Sequence, residues 1–422
     1  MRLNLHDFSG HPFQAQLART LAARGHEVLH GYSAQYITGH GRLEVGAQDP
    51  AGLRIEGLKA DAQMVKYSPV GRTRFELAYA RAWKRQLDAE QFDVVVACNV
   101  PLFALARMRH YFARRNQPWV LWHQDVYSLG VAAEAARKLP APVASAVRNR
   151  VERIERAQVE SADAVVAIGE PFREQYARWG ARRDHVTVIP NWAPLDELVP
   201  GRRDNPWGRR HHLPVEPVRL MYAGTLGRKH NPLLLLDLLD GARARGVDAM
   251  LLVVSEGVGA DDLAAASAGR DDVRILGYQR ADELSDVLAS ADVMVALLEP
   301  DAAQFSVPSK VLSYLSAGRP TIALVPGANP CAEDVRAAGG YVTAPDQAGA
   351  REAAAWLAML SHDPGGFTAL GERARALATK RFDIDSISSK FEEILVGAAG
   401  RAAGRAPVHH HTLSRDAAGG ME

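Results

Sequence analysis

The segment Arg219-Leu220-Met221-Tyr222-Ala223-Gly224-Thr225-Leu226-Gly227-Arg228-Lys229 sets two adjacent cations behind an apolar run and a glycine-bracketed turn. Gly224 and Gly227 let the backbone approach a ligand closely. A helix starting near Asn231-Pro232 would add orphan N–H groups and the positive end of its dipole. Arg228 and Lys229 would supply charge-assisted hydrogen bonds to a diphosphate. These are the parts of an anion site at the carboxyl end of a strand, where α/β proteins bind ligands. An exposed Arg-Lys pair in an ordinary loop is the plainer alternative. A second group, Phe305-Ser306-Val307-Pro308-Ser309-Lys310-Val311-Leu312-Ser313-Tyr314, precedes Ala317-Gly318-Arg319-Pro320 and the run Thr321–Leu324. Pro308-Ser309-Lys310 opens a helix, so the Ser309 hydroxyl and the first N–H groups form another anion pocket. Lys310 could reach the same phosphates as Lys229.

Other motifs fail on inspection. His26-Glu27-Val28-Leu29-His30 matches the H-E-x-x-H zinc pattern. Gly25 has just ended a helix, however, and on the strand that follows the two histidines would stand about 13 Å apart, too far to share one zinc. The chain contains no G-x-G-x-x-G, no G-x-x-x-x-G-K-[ST] and no G-x-S-x-G, which disfavours classical dehydrogenases, P-loop NTPases and α/β-hydrolases. Only Cys98 and Cys331 are present, so neither a disulfide framework nor a cysteine-rich metal site is available. His409-His410-His411 lies in an Ala- and Gly-rich tail read as disordered.

The elements that must carry these residues follow a strand–turn–helix rhythm. Leu3–Leu5, Val28–His30, Val94–Ala97, Trp119–Trp122, Ala164–Ala167 and Val186–Ile189 read as strands of a first unit. Val218–Tyr222, Met250–Val254, Val273–Leu276, Val293–Leu297 and Thr321–Leu324 read as strands of a second. Continuous apolar, largely β-branched runs alternating with helices predict buried parallel sheets. Residues 193–217 carry Pro194, Pro200, Pro206, Pro214 and Pro217, a linker composition. A last helix is expected over Glu372 to Leu395, with Phe382 and Phe391 free to dock on a neighbouring domain. Length supports the division, since 422 residues exceed what one core organises. Fifty Lys plus Arg against 49 Asp plus Glu exclude a broadly basic nucleic-acid binder. No stretch approaches the roughly 18 apolar residues of a membrane span, and Met1–Asp7 lacks a signal-peptide core. A cytoplasmic location is expected.

In order and spacing these motifs resemble the GT-B fold glycosyltransferases, specifically family 4, and most closely bacterial enzymes of colanic-acid and O-antigen synthesis. The resemblance covers nearly the whole chain to about residue 396. It runs through Ser9-Gly10, Arg24-Gly25-His26-Glu27-Val28, Ile189-Pro190-Asn191, Gly224…Arg228-Lys229, Leu276-Gly277-Tyr278, Ala291-Asp292-Val293, Pro308-Ser309-Lys310 and Ala317-Gly318-Arg319-Pro320. It implies two Rossmann-like parallel-sheet domains facing a central cleft. Residues 1–195 would bind the acceptor and 196–370 the nucleotide-sugar donor; 371–396 would cross back to the first domain, and 397–422 would be the tail.

By the same resemblance, Arg228 and Lys229 neutralise the donor diphosphate, with Ser309 and Lys310 beside them. Ser255 and Glu256 line the nucleotide end, Gly277 and Tyr278 read the base, and Gly10 faces the phosphates. His123 and Asp125 lie near the sugar and acceptor. Many members carry two glutamates eight residues apart; Phe305 and Ser313 stand there in this chain, so ribose contact passes to Ser313 or to backbone. The implied donor is a nucleotide-diphosphate sugar, a UDP-sugar favoured, with no metal required; Arg228, Lys229 and Lys310 replace a Mg²⁺. A retaining route would use the leaving phosphate as base, an inverting route His123 or Asp125. The acceptor would be a glycan, lipid-linked or other small molecule. A catalytically silent relative and a nucleotide-sugar epimerase are the alternatives. Two basic clusters could touch an anionic membrane: Arg107, Arg109, Arg114 and Arg115; and Arg137, Lys138, Arg148, Arg150, Arg153 and Arg156, interleaved with Leu139, Val143 and Val147. Solvated helix faces with Glu152 and Glu155 as partners are the alternative.

Overall fold

The computed structural model describes residues 1–36, 40–63, 68–181, 184–227, 230–300 and 308–404. Arg228, Lys229, Phe305 and the tail histidines His409–His411 lie outside them. The first sheet contains β1 (Arg2–Asp7), β2 (Glu27–Ser33), β3 (Leu53–Leu58), β4 (Val94–Cys98), β5 (Trp119–His123), β6 (Ala164–Ala167) and β7 (Val186–Val188). Its helices are α1 (Pro12–Ala23), α2 (Pro69–Ala89), α3 (Leu102–Arg115), α4 (Tyr127–Lys138), α5 (Ala141–Ser161) and α6 (Glu170–Arg178). After α7 (Pro206–Arg210) come β8 (Val218–Ala223), α8 (Leu233–Arg243), β9 (Ala249–Val254), α9 (Val258–Ala266), β10 (Val273–Leu276), α10 (Leu284–Ala289) and β11 (Val293–Leu297). The chain ends with α11 (Lys310–Ser316), β12 (Thr321–Leu324), α12 (Pro330–Ala337), β13 (Tyr341–Thr343), α13 (Gln347–Ser361), α14 (Gly366–Arg381) and α15 (Ile384–Ala403).

The strand orders are β3-β2-β1-β4-β5-β6-β7 and β10-β9-β8-β11-β12-β13, parallel throughout. Strands β4 and β5 are buried at every position, as sheets covered on both faces require. The order reverses between β1 and β4 and between β8 and β11, and each reversal opens a crevice beyond the carboxyl ends of the strands.

Three expectations need correction. The segment 193–217 is not a free linker. Asn205 caps α7 through Gly208 N (2.9 Å), and Trp207 is buried with its Nε1 on Gln279 Oε1 at 3.0 Å. Buried Arg219 donates to the carbonyls of Arg203, Leu213, Pro214 and Ser290. Those bonds dock the proline-rich segment on the second sheet. The single final helix is in fact two. Asp383 accepts from Asp385 N and Ser386 N, both at 3.3 Å, and starts a new helix. The boundary expected at 371 therefore falls inside α14, which packs on α11 and α13, and the boundary at 397 falls inside α15.

Helix α15 crosses to the first domain, against α1, β4, β5 and β6. Phe391 is fully buried, its ring 4.6 Å from Trp122 and 6.2 Å from Trp192, and those two indoles stack at 5.6 Å. Arg24 and His26 both bond Glu392, and Arg401 Nε bonds the Asp163 carbonyl at 2.8 Å.

Candidate functional site

Between the two sheets lies a cleft of about 590 Å³. His11, Phe13, His40 and Trp192 line it from the first domain; Gly224, Thr225, His230, Tyr278, Ser309, Lys310, Ser313 and Tyr314 line it from the second. Gly224 sits at φ +123°, where a side chain is strained, and a Cβ there would lie 3.3 Å from Lys310 Cε. The bare strand end thus leaves room for Lys310 to lie across it. Its Nζ stands 3.9 Å from the Tyr222 ring centroid and bonds the Tyr222 hydroxyl. Tyr222 OH in turn donates to Thr225 O at 2.9 Å, which fixes the turn.

Behind that turn the sequence-derived residues divide. Ser255 is buried and its Oγ accepts from Leu226 N at 2.9 Å. Exposed Glu256 accepts from Tyr278 N at 3.1 Å, its Oε1 3.2 Å from where a Cβ on Gly277 would be. Ser255, Glu256 and Gly277 brace the walls rather than line the cleft, whereas the Tyr278 hydroxyl, bonded to Thr225 Oγ1, lines it. Burial raises the Tyr278 phenol above its usual range. Ser309 lines the cleft but makes no capping bond, contrary to expectation. Gly10 does not line it either. At φ +70° it shapes the turn after β1 and packs under Leu43, while its neighbours His11 and Pro12 face the cleft.

A smaller pocket of about 180 Å³ lies within the first domain, beyond β1, β4 and β5. Phe8, Tyr36, Phe75 and Tyr127 form aromatic walls, and Arg72, Glu76, Asn99, His123, Asp125 and Glu155 supply polar groups. Asp125 is exposed there. His123, expected near the sugar and acceptor, borders this pocket and not the larger cleft. It is 7% exposed, its Nδ1 is 2.7 Å from Tyr176 OH, and its Nε2 is 3.2 Å from Glu155 Oε1. Glu155 also accepts from Tyr127 N (2.6 Å) and Ser128 N (2.9 Å), so His123 and the start of α4 share one carboxylate. With both ring nitrogens occupied, His123 suits a brace better than a base. Glu76 is held by Arg72 Nε (3.0 Å) and Phe103 N (2.8 Å), and burial raises its carboxyl. Burial also raises the Tyr36 phenol, the Arg72 charge lowers it, and Asp125 and Tyr278 raise it.

Sequence reasoning missed His11, Asp7 and Asn99, which form one bonded group between the two cavities. The available signal was Asp7 ending a strand four residues before His11, at the start of a helix. Among the described residues, no group of three or more His, Cys, Asp or Glu could hold a metal ion.

Two family models match the chain, the glycosyl transferase 4-like domain over residues 11–192 and the glycosyl transferases group 1 over residues 217–362. A sequence comparison with curated proteins returned no match. Among solved structures, the sucrose-phosphate synthase of Thermosynechococcus elongatus superposes with a TM-score of 0.70 at 17% identity, covering 95% of this chain and 100% of that one. Anabaena HepE in complex with UDP and glucose gives 0.66 at 18% identity, covering 94% and 99%. The catalytic domain of starch synthase IV from Arabidopsis thaliana, bound to ADP and acarbose, gives 0.63 at 11% identity, covering 95% and 99%. One family match falls on each parallel sheet and the two-sheet fold is that of these neighbours: the chain belongs to the family-4-like glycosyltransferases of GT-B fold.

Proposed function

We propose that the cleft takes a nucleotide-diphosphate sugar and that the aromatic pocket of the first domain takes a hydroxyl-bearing acceptor. The observation that carries this reading is the distribution of charge. Among the described residues, the cleft lining includes Lys310, Arg280 and three histidines and no carboxylate. The smaller pocket has Glu76, Asp125 and Glu155, of which Glu76 is paired with Arg72 and Glu155 with His123, leaving Asp125 as its exposed carboxylate. An anion belongs in the first and hydroxyl groups in the second. Lys310, Ser309, Ser313, Gly224 and Tyr278 would hold the donor, with Arg228 and Lys229, which follow Gly227 in the sequence, adding charge. Ser255, Glu256 and Gly277 would shape the nucleotide end. The HepE neighbour described with UDP and the starch synthase described with ADP support a nucleoside diphosphate, and of the two HepE, at the higher identity, favours a UDP-sugar.

In the reaction the bond from the anomeric carbon to the phosphate oxygen breaks and a bond to the acceptor oxygen forms. The acceptor proton passes to the leaving phosphate or to a side-chain base, for which Asp125 is the exposed carboxylate in place. Negative charge grows on the leaving diphosphate, so fixed cations beside it stabilise the transition state more than the ground state. The proposed route needs no metal. Charge-assisted contacts are each worth roughly 1.5 to 3 kcal/mol, so Lys310→Ala should weaken UDP binding about tenfold or more. Isothermal titration with UDP, ADP and GDP measures it, and equal affinity in parent and variant for every nucleotide would remove Lys310 from the site.

We further propose that the acceptor is a glycan or lipid-linked intermediate of surface-polysaccharide or glycoconjugate assembly, met at the inner face of a membrane. No helix among the described residues is long and apolar enough to cross a membrane. The α4–α5 hairpin supports peripheral contact instead. Leu139 and Val143 are 40% and 48% exposed, with Arg137, Lys138, Arg148 and Arg150 exposed around them. Glu155 turns inward to His123, so it does not neutralise that face; Glu134 and Glu160 pair with Arg137, Lys138 and Arg156. The double change Arg148→Glu with Arg150→Glu should reduce cosedimentation with vesicles rich in anionic lipid and leave neutral vesicles unbound. Identical sedimentation of parent and variant would count against membrane contact.

A further inference from the structure

The two cavities adjoin at one bonded group of side chains. Ser9 and Asn99 line the first-domain pocket, and His11 lines the cleft. Asn99 Nδ2 lies 2.9 Å from Asp7 Oδ1 and 3.2 Å from His11 Nδ1. Asp7 ends β1 and Asn99 follows β4, the two strands between which the first sheet reverses its order. A donor in the cleft and an acceptor in the pocket would meet there.

The bonding fixes which nitrogen of His11 carries its proton. Asp7 is wholly buried, and its carboxylate accepts from Ser9 N at 3.2 Å and His11 N at 2.6 Å. Burial pushes its carboxyl up, but the neighbouring His11 imidazole first, and then the Asn99 amide, hold it below the usual range, and the geometry decides which of the two donates to it. An amide oxygen set against that carboxylate would repel it, so the Asn99 amide must point its nitrogen there. The second hydrogen of the same NH₂ group has His11 Nδ1 at 3.2 Å and the weak acceptor Cys98 Sγ at 3.6 Å, and the shorter contact makes Nδ1 its acceptor. The direct approach of His11 Nδ1 to Asp7 Oδ2, 3.8 Å, is too long for a hydrogen bond. A neutral imidazole has one N–H, so the proton sits on Nε2. That nitrogen lies on the ring edge away from Asn99, with the ring stacked on Phe13 at 5.6 Å.

We propose that His11 Nε2–H donates a hydrogen bond to a phosphate oxygen of the sugar nucleotide, opposite Lys310, and that Asn99 and Asp7 are the positioning residues that fix its tautomer. The proposal rests on the nucleotide-sugar reading of the cleft. It makes His11 a donor to the leaving group and not the base that takes the acceptor proton. Three features agree with it: the cleft lining holds no carboxylate among the described residues, Lys310 stands on the opposite wall, and His11 keeps 29% of its side chain exposed for contact.

The test joins a tautomer measurement to a binding one. In protein labelled with ¹⁵N at histidine, the resonance lost in His11→Gln identifies His11; its Nδ1 should be the unprotonated nitrogen and its Nε2 the protonated one. UDP binding should weaken about tenfold in His11→Ala and recover in part in His11→Gln, whose amide N–H can still donate. In Asn99→Gly, which tolerates the φ of +53° at that position, His11 should show mixed tautomers and weaker UDP binding. A proton on Nδ1 in the parent overturns the proposal, as does equal UDP affinity in parent and His11→Ala. A parent that binds no nucleoside diphosphate overturns both this proposal and the reading of the cleft. A parent that binds one as tightly as His11→Ala does overturns this proposal alone.

Discussion

Replacing Phe391 with alanine should lower the stability of the folded chain by about 3 to 5 kcal/mol, the cost of a large buried aromatic. The ring is fully buried between Trp122 and Trp192, with Phe13 edge-on to both indoles. Its loss forfeits the transfer energy of the ring and leaves a hole that three rigid aromatics cannot collapse to fill. Trp192 is held further by its Nε1 bond to Gln16 Oε1 at 2.8 Å, so it cannot swing into the space. Urea titration followed by tryptophan fluorescence should show a lower midpoint for the transition of the first domain. Phe391→Leu, which keeps most of the volume, should cost clearly less. A loss below about 1 kcal/mol in the alanine variant would mean that α15 contributes little to that core.

Acidification should withdraw stability through two buried histidines. His6 and His30 are completely buried, and burial is the main cause that pushes them down from 6.5 to about 3 and about 4. The nearby Asp7 charge raises both, and Arg19 opposes it at His30. Because the folded values lie below the unfolded one, the unfolded chain binds more protons as pH falls. Stability is therefore complete above pH 6.5 and is lost on the way down to about pH 4 for His30 and about pH 3 for His6. At about 1.4 kcal/mol per unit, His30 alone removes about 3 kcal/mol. Both ring nitrogens of His30 lack a partner among the described residues. His30→Leu should therefore flatten the acid limb without loss at pH 7. Parallel stability-versus-pH curves for parent and variant would contradict this.

The fold was legible where local composition decides it. Val94-Val95-Val96-Ala97 can satisfy little but a strand buried on both faces, and it forms one. Leu53–Leu58 and Tyr341–Thr343 escaped notice because they are edge strands, one half solvated and the other three residues long. The break between α14 and α15 was written in Asp383 as a cap, inside a continuous apolar pattern that masked it. In the site, Gly224 and Tyr278 could be found from short motifs because each sits in a turn after a strand, and Lys310 because Pro308-Ser309-Lys310 opens α11. His11 and Asn99 are 88 residues apart and meet only because the sheet reverses between β1 and β4. The end of β5 correctly located His123 but not its direction, which Tyr176 and Glu155 decide from 53 and 32 residues away.

The crossing of α15 has a consequence for how the molecule is made. All strands of the first sheet have been synthesised by Val188, yet the face of Trp122 and Trp192 waits for Phe391 to cover it. Synthesis proceeds at about 5 to 20 residues per second, so the intervening stretch of about 200 residues takes roughly 10 to 40 seconds. Through that interval the emerging chain carries an assembled sheet with an uncovered tryptophan surface, and the second domain has time to form before the first can close. The order of completion on the ribosome is thus the reverse of the order in the sequence: the domain begun first is finished last.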